Sequence, residues 1–203
     1  NETTEVISLE ENQKKDKDSI GYMLLDFLKT FVLCAIIVYL FTTFVMRPVQ
    51  VDGLSMYPTL HDDEIGLMNI IDMKIHDIQR YDVVVVNDAE ITNGEAWVKR
   101  VIGLPGDTIY AKDDVVYVNG LAIEEPYLDN EYANDIRSRG DQFTHDFDKV
   151  TLGEDEYFLM GDNRIESHDS RAVGPFKRSD FKGKDIYILY PFSNIRFERN
   201  GSL

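Results

Sequence analysis

The longest uncharged segment of the chain constrains its fold more than any other feature. Residues 30–46 (TFVLCAIIVYLFTTFVM) carry no charged side chain. Extending this segment back to Phe27 reaches the roughly 20 residues that a helix needs to cross a bilayer, and it includes Lys29. A lysine near the end of such a helix can extend its amine to the lipid headgroups. The sequence therefore predicts a transmembrane helix over residues 27–46.

Two other structures are compatible with an apolar segment of this kind, a buried core helix and a cleaved secretory signal. A cleaved signal ends in a small-x-small site. This segment instead ends in Phe44, Val45, Met46, Arg47 and Pro48. We therefore interpret it as a retained membrane anchor.

The basic residues around the anchor predict its orientation. Most of them precede its uncharged residues 30–46: Lys14, Lys15, Lys17 and Lys29 come before these residues, and Arg47 follows them. Cytoplasmic flanks carry the excess of basic residues, so we expect the N-terminus inside and the chain after Pro48 on the extracytoplasmic face of the cytoplasmic membrane. Residues 1–26 begin with a strongly polar stretch that has too few apolar side chains to offset ordering entropy. They are predicted to form a disordered cytoplasmic tail.

The charge balance excludes one class of function. The chain has 21 Lys and Arg against 37 Asp and Glu, and a formal net charge of -16 repels the phosphate backbone of nucleic acids. A metal partner is not expected either, because His61-Asp62-Asp63 lacks a second histidine at ligand spacing. Cys34 is the single cysteine, so it cannot form an internal disulfide and does not fix the compartment.

Residues 47–203 show the pattern of a mostly β domain. Apolar alternation and β-branched runs recur at residues 50–52, 82–86, 96–102, 115–118, 157–160 and 186–190. Among the turns between them, Asn119-Gly120 is the strongest hairpin signal. Helical periodicity is confined to a turn or two within residues 68–78. The polar residues 124–149 predict a surface insertion.

Two residues are candidates for nucleophilic chemistry. Ser55 lies a few residues beyond the span, where a turn serine is the simplest interpretation. Lys99 lies in an alternating segment that places it on one face with Trp97 and Val101, while Arg100 points the other way. It could be an edge-strand lysine that discourages aggregation. It could also be a desolvated amine with a lowered pKa, able to accept the proton of a serine hydroxyl.

A histidine-based triad is not favoured. Ser167-His168-Asp169 places the three residue types in a row. Neighbours on an extended strand point to opposite faces, whereas the members of a triad converge from separate segments. The surrounding residues 161–171 are densely polar directly after an apolar strand, which is typical of a capped surface turn or of a site.

Three motifs follow the apolar segment in a set order. They are Ser55-Met56-Tyr57-Pro58-Thr59-Leu60, then Lys99-Arg100-Val101-Ile102-Gly103-Leu104-Pro105-Gly106-Asp107, then Gly161-Asp162-Asn163-Arg164 with Ser167, Asp169, Ser170 and Arg171. Together with the single span, this order and spacing resemble the bacterial type I signal peptidases of the Gram-positive type. The resemblance implies a protease on a mostly β fold, without a cofactor, that removes signal peptides from secreted preproteins at the outer face of the cytoplasmic membrane.

The same resemblance implies roles for individual residues. Ser55 would attack the scissile carbonyl, Lys99 would be the general base, and Ser167 would orient the lysine amine. The remaining roles are structural: Gly161 would leave room for that amine, and the pairs Asp162 with Arg100 and Asp169 with Arg171 would be supporting ion pairs. One position departs from the pattern, because some members carry a serine that helps to hold the oxyanion where this chain has Gly53. The backbone N–H of Ser55 is the remaining donor by analogy.

The expected partners are preprotein substrates and membrane lipid. An extended substrate is expected beside residues 50–53 and 96–98, with small side chains in pockets that involve Val51, Met56, Trp97 and Val98. Two other functions stay open. One is a catalytically silent, membrane-anchored β module that assists the assembly of surface proteins or pili. The other is a Ser-Lys protease that cleaves itself to inactivate a repressor, which would need a DNA-binding module instead of the span.

Overall fold

The N-terminal part of the protein is a single long helix. The computed structural model describes the backbone of residues 2–198 and the side chains of residues 20–198, so Asn1 and residues 199–203 lie outside the described residues. Helix α1 (Glu2–Phe44) contains the segment Ile20–Phe44, which is long and apolar enough to cross a membrane. This segment starts before the predicted boundary at Phe27. It ends at Phe44, and strand β1 (Met46–Gln50) follows, whereas the predicted span ends at Met46.

The prediction of a disordered tail over residues 1–26 differs from the structure, which continues α1 back to Glu2. Glu and Lys are frequent in this segment and are strong helix formers. Adding residues to an existing helix is much easier than nucleating a new one. The apolar segment can therefore extend a helix into polar residues that would not form one alone.

The described residues from Phe44 to Glu198 form a second unit built on two antiparallel sheets, and the prediction of a mostly β fold is confirmed. The strands are β1 (Met46–Gln50), β2 (Ile65–Asn69), β3 (Val83–Val86), β4 (Trp97–Gly103), β5 (Thr108–Lys112), β6 (Val115–Val118), β7 (Leu121–Ala122), β8 (Phe147–Thr151), β9 (Glu156–Met160), β10 (Phe176–Lys177), β11 (Phe181–Tyr190) and β12 (Arg196–Glu198). The larger sheet has the order β1-β2-β11-β3-β4-β9-β10 with β12 paired to β11, and the smaller has the order β7-β6-β5-β8. The helices are α2 (Ile71–Ile75), α3 (Glu131–Ser138) and α4 (Ser170–Val173), with short 3-10 helices at Pro126–Leu128, Arg178–Asp180 and Phe192–Asn194.

Strand β3 forms the centre of the larger sheet, and all four of its valines are buried. Val83 packs in one cluster with Met56 of the loop that carries Ser55. Its neighbour Val84 packs in another cluster with Phe176. Apolar side chains therefore cover both faces of β3. The adjacent strand β4 pairs with β3, and Lys99 lies opposite Val84, so close packing of β3 restricts the movement of the backbone that carries Lys99.

The Asn119-Gly120 prediction is confirmed. Val118 of β6 pairs with Leu121 of β7, and the two residues between them have positive φ angles of 54° and 83°. Two consecutive residues with positive φ are what a type I′ turn requires, and asparagine and glycine adopt them at low cost.

The segment predicted as a surface insertion, residues 124–149, is more closely built into the domain than expected. It contains α3 and the start of β8, and it buries Leu128, Ala133 and Phe143 in a small cluster of its own. Glu125 at its beginning forms an ion pair with the buried Arg164. The helix has only eight residues. That is too short for apolar periodicity to be visible among polar neighbours.

Candidate active site

Ser55 and Lys99 come from separate parts of the second unit and meet. Ser55 lies in the loop between β1 and β2, and Lys99 is the third residue of β4. The Lys99 Nζ atom donates a hydrogen bond to the Ser55 Oγ atom at 2.7 Å. The structure therefore brings together the two residues that were predicted to act as nucleophile and base.

The amine of Lys99 is shielded from water. The residue is 4% exposed, and its Nζ atom lies 5.4 Å from the centre of the Trp97 ring. Burial lowers the pKa of Lys99 to about 8, an effect that Arg171 reinforces and that the carboxylates of Asp169 and Asp162 oppose. A lysine with such a pKa is partly neutral near physiological pH, and a neutral amine can accept a proton.

The backbone around Ser55 is held by the segment that follows β9. The N–H of Asn163 donates to the carbonyl oxygen of Ser55 at 3.0 Å, and the Nδ2 atom of Asn163 donates to the carbonyl oxygen of Leu54 at 3.0 Å. A Cβ atom at Gly161 would lie 2.3 Å from the same Ser55 oxygen and 2.3 Å from the Ser167 Oγ atom. A side chain at position 161 would therefore collide with Ser55 and Ser167. The resemblance had implied that Gly161 leaves room for the lysine amine.

The row Ser167-His168-Asp169 does not form a triad, as expected from adjacency. Asp169 accepts from Arg171, and the ring of His168 packs edge-on against Trp97 with 5.6 Å between ring centres. Among the side chains that the structure describes, the buried Ser167 Oγ atom makes no hydrogen bond to Lys99 Nζ, and the charged group beside it is Asp169. The hydrogen bond from Ser167 to the lysine amine that the resemblance implied is thus not formed here.

Arg100 and Asp162 form a buried, two-point ion pair. The Arg100 Nε atom donates to Asp162 Oδ1 at 2.8 Å, and Arg100 Nη2 donates to Asp162 Oδ2 at 2.6 Å. The hydroxyl of Thr59 also donates to Asp162 Oδ2, at 2.6 Å. Because Thr59 lies in the Ser55 loop, this carboxylate connects that loop to both β4 and the segment after β9.

Asp169 organises the other end of the segment 161–171. Its carboxylate accepts from the N–H of Gly161 at 2.9 Å and from Arg171 Nε at 2.8 Å, and it also caps α4. Burial alone would raise the pKa of Asp169, but the hydrogen bonds and charge of Arg171 outweigh burial and hold this pKa below its usual value. A carboxylate that stays charged can keep the Gly161 backbone fixed beside Ser55.

Replacing Arg100 with methionine is expected to lower the free energy of unfolding by about 3 to 5 kcal/mol, because it leaves the Asp162 carboxylate buried without its charged partner. Trp97, the only tryptophan, reports unfolding by fluorescence in a denaturant titration of the detergent-solubilised chain. The control is Arg139→Met, which removes an exposed ion pair with Asp135 and should change the same quantity by less than about 1 kcal/mol. Equal losses in the two variants would show that the buried pair does not stabilise the domain.

A cleft of about 1140 Å³ runs along the dyad. The four residues predicted to contact substrate, Val51, Met56, Trp97 and Val98, all line it. Further apolar lining comes from Val49, Met68 and Val85. Its size is sufficient for several residues of an extended peptide, since binding clefts for small ligands measure about 300 to 1,000 Å³.

One edge of β4 is open along this cleft. Trp97, Val98 and Lys99 pair with β3 on one side, whereas pairing with β9 on the other side begins only at Arg100. Strand β1 pairs with β2, and none of the other strands within residues 2–198 pairs with it. Open strand edges offer backbone N–H and C=O groups to an added strand.

Gly53 has no side chain to contribute to an oxyanion site, and its backbone N–H is already used. Its φ angle is +82°, and its N–H donates to the Asp62 carboxylate at 2.7 Å. Asp62 also belongs to an exposed group with Asp52 and Asp63 whose carboxylate oxygens lie within 4.8 Å of one another. The absence of a metal partner stays a prediction.

Asn163 and Thr59 were not among the residues predicted to be functional. Both lie in the motifs that carried the resemblance, and the density of polar residues at 161–171 was the one visible signal. Their contacts with the Ser55 loop and with Asp162 span more than 100 positions in sequence. Only the fold reveals such contacts.

Comparison with known proteins identifies the family. Residues 24–190 match the family described as "Signal peptidase, peptidase S26". Signal peptidase I of Bacillus amyloliquefaciens is 39% identical over 186 residues, which cover 90% of this chain and 97% of that protein. Signal peptidase I S of Bacillus subtilis (strain 168) is 39% identical over 190 residues, covering 92% and 97%. The crystal structure of a signal peptidase I from Enterococcus faecalis V583 is 35% identical, covers 54% of this chain and 97% of that one, and has a TM-score of 0.48.

The chain therefore belongs to the signal peptidase family, peptidase S26. The resemblance drawn from the three sequence motifs is confirmed.

Proposed function

We propose that this protein is a membrane-anchored serine endopeptidase that cleaves signal peptides from secreted preproteins, with Ser55 as nucleophile and Lys99 as general base. The observation that carries the proposal is the 2.7 Å contact between Lys99 Nζ and Ser55 Oγ, made by an amine that burial has desolvated. A serine hydroxyl is a weak nucleophile unless a base takes its proton, and a neutral lysine can do so.

The proposed reaction has two halves. The neutral Lys99 amine accepts the Ser55 hydroxyl proton as Oγ attacks the scissile carbonyl carbon, and a tetrahedral oxyanion forms. The ammonium then gives this proton to the leaving amine, the C–N bond breaks, and an acyl-enzyme ester remains on Ser55. In the second half, water loses a proton to Lys99 and attacks the ester. The acyl C–O bond then breaks and the Lys99 ammonium returns the proton to Ser55 Oγ, which releases the carboxylic acid and restores both the hydroxyl and the neutral amine.

The oxyanion is proposed to bind to the backbone N–H of Ser55. Within residues 2–198, no backbone or side-chain acceptor is paired with this N–H, so it is free to donate to a substrate oxygen. A fixed backbone donor stabilises the charge that develops in the transition state.

Substrate is proposed to bind as an extended strand between residues 50–53 and the open edge of β4. The apolar lining by Val51, Met56, Trp97 and Val98 supports this position, because alternate side chains of an added strand would point into the cleft. The family resemblance implies small residues at the first and third positions before the cut. No cofactor takes part in the proposed mechanism.

Helix α1 is proposed to anchor the enzyme in the lipid bilayer through its apolar segment, with residues 27–46 as the predicted span. The N-terminal residues 1–26 would lie inside and the β domain, residues 47–203, on the extracytoplasmic face. Tethering confines enzyme and membrane-held preprotein to one surface and so raises their effective concentration. Membrane lipid is therefore a functional partner in this proposal.

The proposal is tested by incubating the detergent-solubilised protein with a purified preprotein and mapping the new termini by mass spectrometry. A single cut at the end of the signal peptide is expected, and Ser55→Ala run in parallel should give none. Uncleaved preprotein would instead favour a silent β module that assists the assembly of surface proteins.

A further inference from the structure

Asn163 makes two contacts with the backbone on either side of the Ser55 nitrogen. Its side-chain Nδ2 atom donates to the carbonyl oxygen of Leu54 at 3.0 Å, and its backbone N–H donates to the carbonyl oxygen of Ser55 at 3.0 Å. Asn163 is 1% exposed, so bulk water does not compete for these hydrogen-bonding groups. The Leu54 oxygen also accepts from the N–H of Tyr57 at 3.1 Å, which gives this oxygen two donors.

The geometry of the peptide group turns a bond at Leu54 into a constraint on Ser55. The carbonyl of Leu54 and the N–H of Ser55 belong to one planar trans peptide, in which C=O and N–H point in opposite directions. Fixing the direction of the Leu54 oxygen therefore fixes the direction of the Ser55 N–H. That N–H has no acceptor of its own within the described residues.

We infer that Asn163 is a positioning residue that aims the Ser55 N–H at the oxyanion, acting through the Leu54 carbonyl. This inference rests on the proposed function. Gly53 cannot donate to the oxyanion, because it has no hydroxyl and its N–H donates to Asp62. The Ser55 N–H is therefore the main donor that the loop offers. The orientation of one backbone donor then determines much of the stabilisation of the tetrahedral intermediate.

The variant that tests the inference is Asn163→Leu, which has nearly the shape of asparagine, lacks the Nδ2 donor and keeps the backbone N–H bond to Ser55. Asn163→Ala is the second variant in case leucine does not fit. The matched control is Tyr132→Phe, because the Tyr132 hydroxyl is the other side-chain partner of Asn163, donating to Oδ1 at 3.4 Å. Rates are normalised to the concentration of folded protein.

We expect kcat of Asn163→Leu for a signal-peptide substrate to fall by about 100-fold, the lower end of the effect of losing an oxyanion donor. KM should change by less than about threefold, because substrate binding does not require the aimed N–H. A peptide boronate that forms a tetrahedral adduct with Ser55 should lose affinity by about the same factor as kcat. The pH at which activity rises should not move, since Lys99 is untouched, and Tyr132→Phe should match the parent enzyme.

Two results would overturn the inference. One is an unchanged kcat in folded Asn163→Leu and Asn163→Ala. The other is a loss that lies in KM and melting temperature while boronate affinity is retained, which would assign Asn163 a merely structural role. A parent enzyme that does not cleave, or a Ser55→Ala variant that does, would instead refute the proposed function itself, so the two failures are distinguishable.

Discussion

Replacing Ser55 with alanine is expected to lower kcat/KM for preprotein cleavage by at least about 10⁴-fold, because no acyl-enzyme can form without its hydroxyl. The fold should be retained. The loop that carries residue 55 is held through backbone carbonyls and through Thr59, and none of these bonds uses the Ser55 side chain. Cleavage is measured by gel or mass spectrometry, and folding by circular dichroism.

Ser179→Ala is the control for this change, since it removes an exposed hydroxyl that contacts only Asp180 among the described residues. It should cleave at the parent rate. Full activity in Ser55→Ala would require another nucleophile, and the proposed chemistry would then be wrong.

Replacing Lys99 with methionine is expected to lower kcat/KM by about 10² to 10⁴-fold, the range attributed to general acid–base catalysis. Methionine fills much of the same volume beside Trp97 and carries no proton acceptor. Stability should not fall, because an apolar side chain is easier to bury than the amine that burial now keeps from water.

Lys99→Arg is expected to be as inactive as Lys99→Met, since a guanidinium stays protonated at every accessible pH. Lys112→Met serves as the control, because it removes an exposed strand lysine away from the cleft. Activity in Lys99→Arg close to that of the parent would show that the lysine contributes its charge and that another group is the base.

Much of this site could be predicted from residue order. Period-2 alternation placed Lys99 on one face with Trp97 and Val101, and in the structure Trp97 and Val101 belong to one cluster while Val98 belongs to another. The Asn119-Gly120 hairpin was predictable because its conformation is decided by two neighbouring residues. Local rules of this kind depend only on nearby sequence.

The contacts of Asn163 were not predictable in this way. Its contact with Leu54 joins positions 109 residues apart, and no local pattern encodes that distance. The same limit explains Glu125, which pairs with Arg164 across a segment that appeared to be a surface insertion. Ser167 shows the opposite case. Family resemblance implied a hydrogen bond from Ser167 to the lysine amine, and this bond is not formed among the described side chains, so the orienting role of Ser167 stays a prediction.

The pH dependence of kcat/KM tests most directly the central claim, that a buried lysine is the base. This quantity reports ionisations of the free enzyme. Because burial lowers the pKa of Lys99 to about 8, the neutral form is lost as pH falls below that value. Activity should therefore decrease about tenfold per pH unit on the acid side and level off above pH 8. A limb centred near 6.5, the ordinary pKa of histidine, or one near 10.4, that of a solvated lysine, would contradict the account.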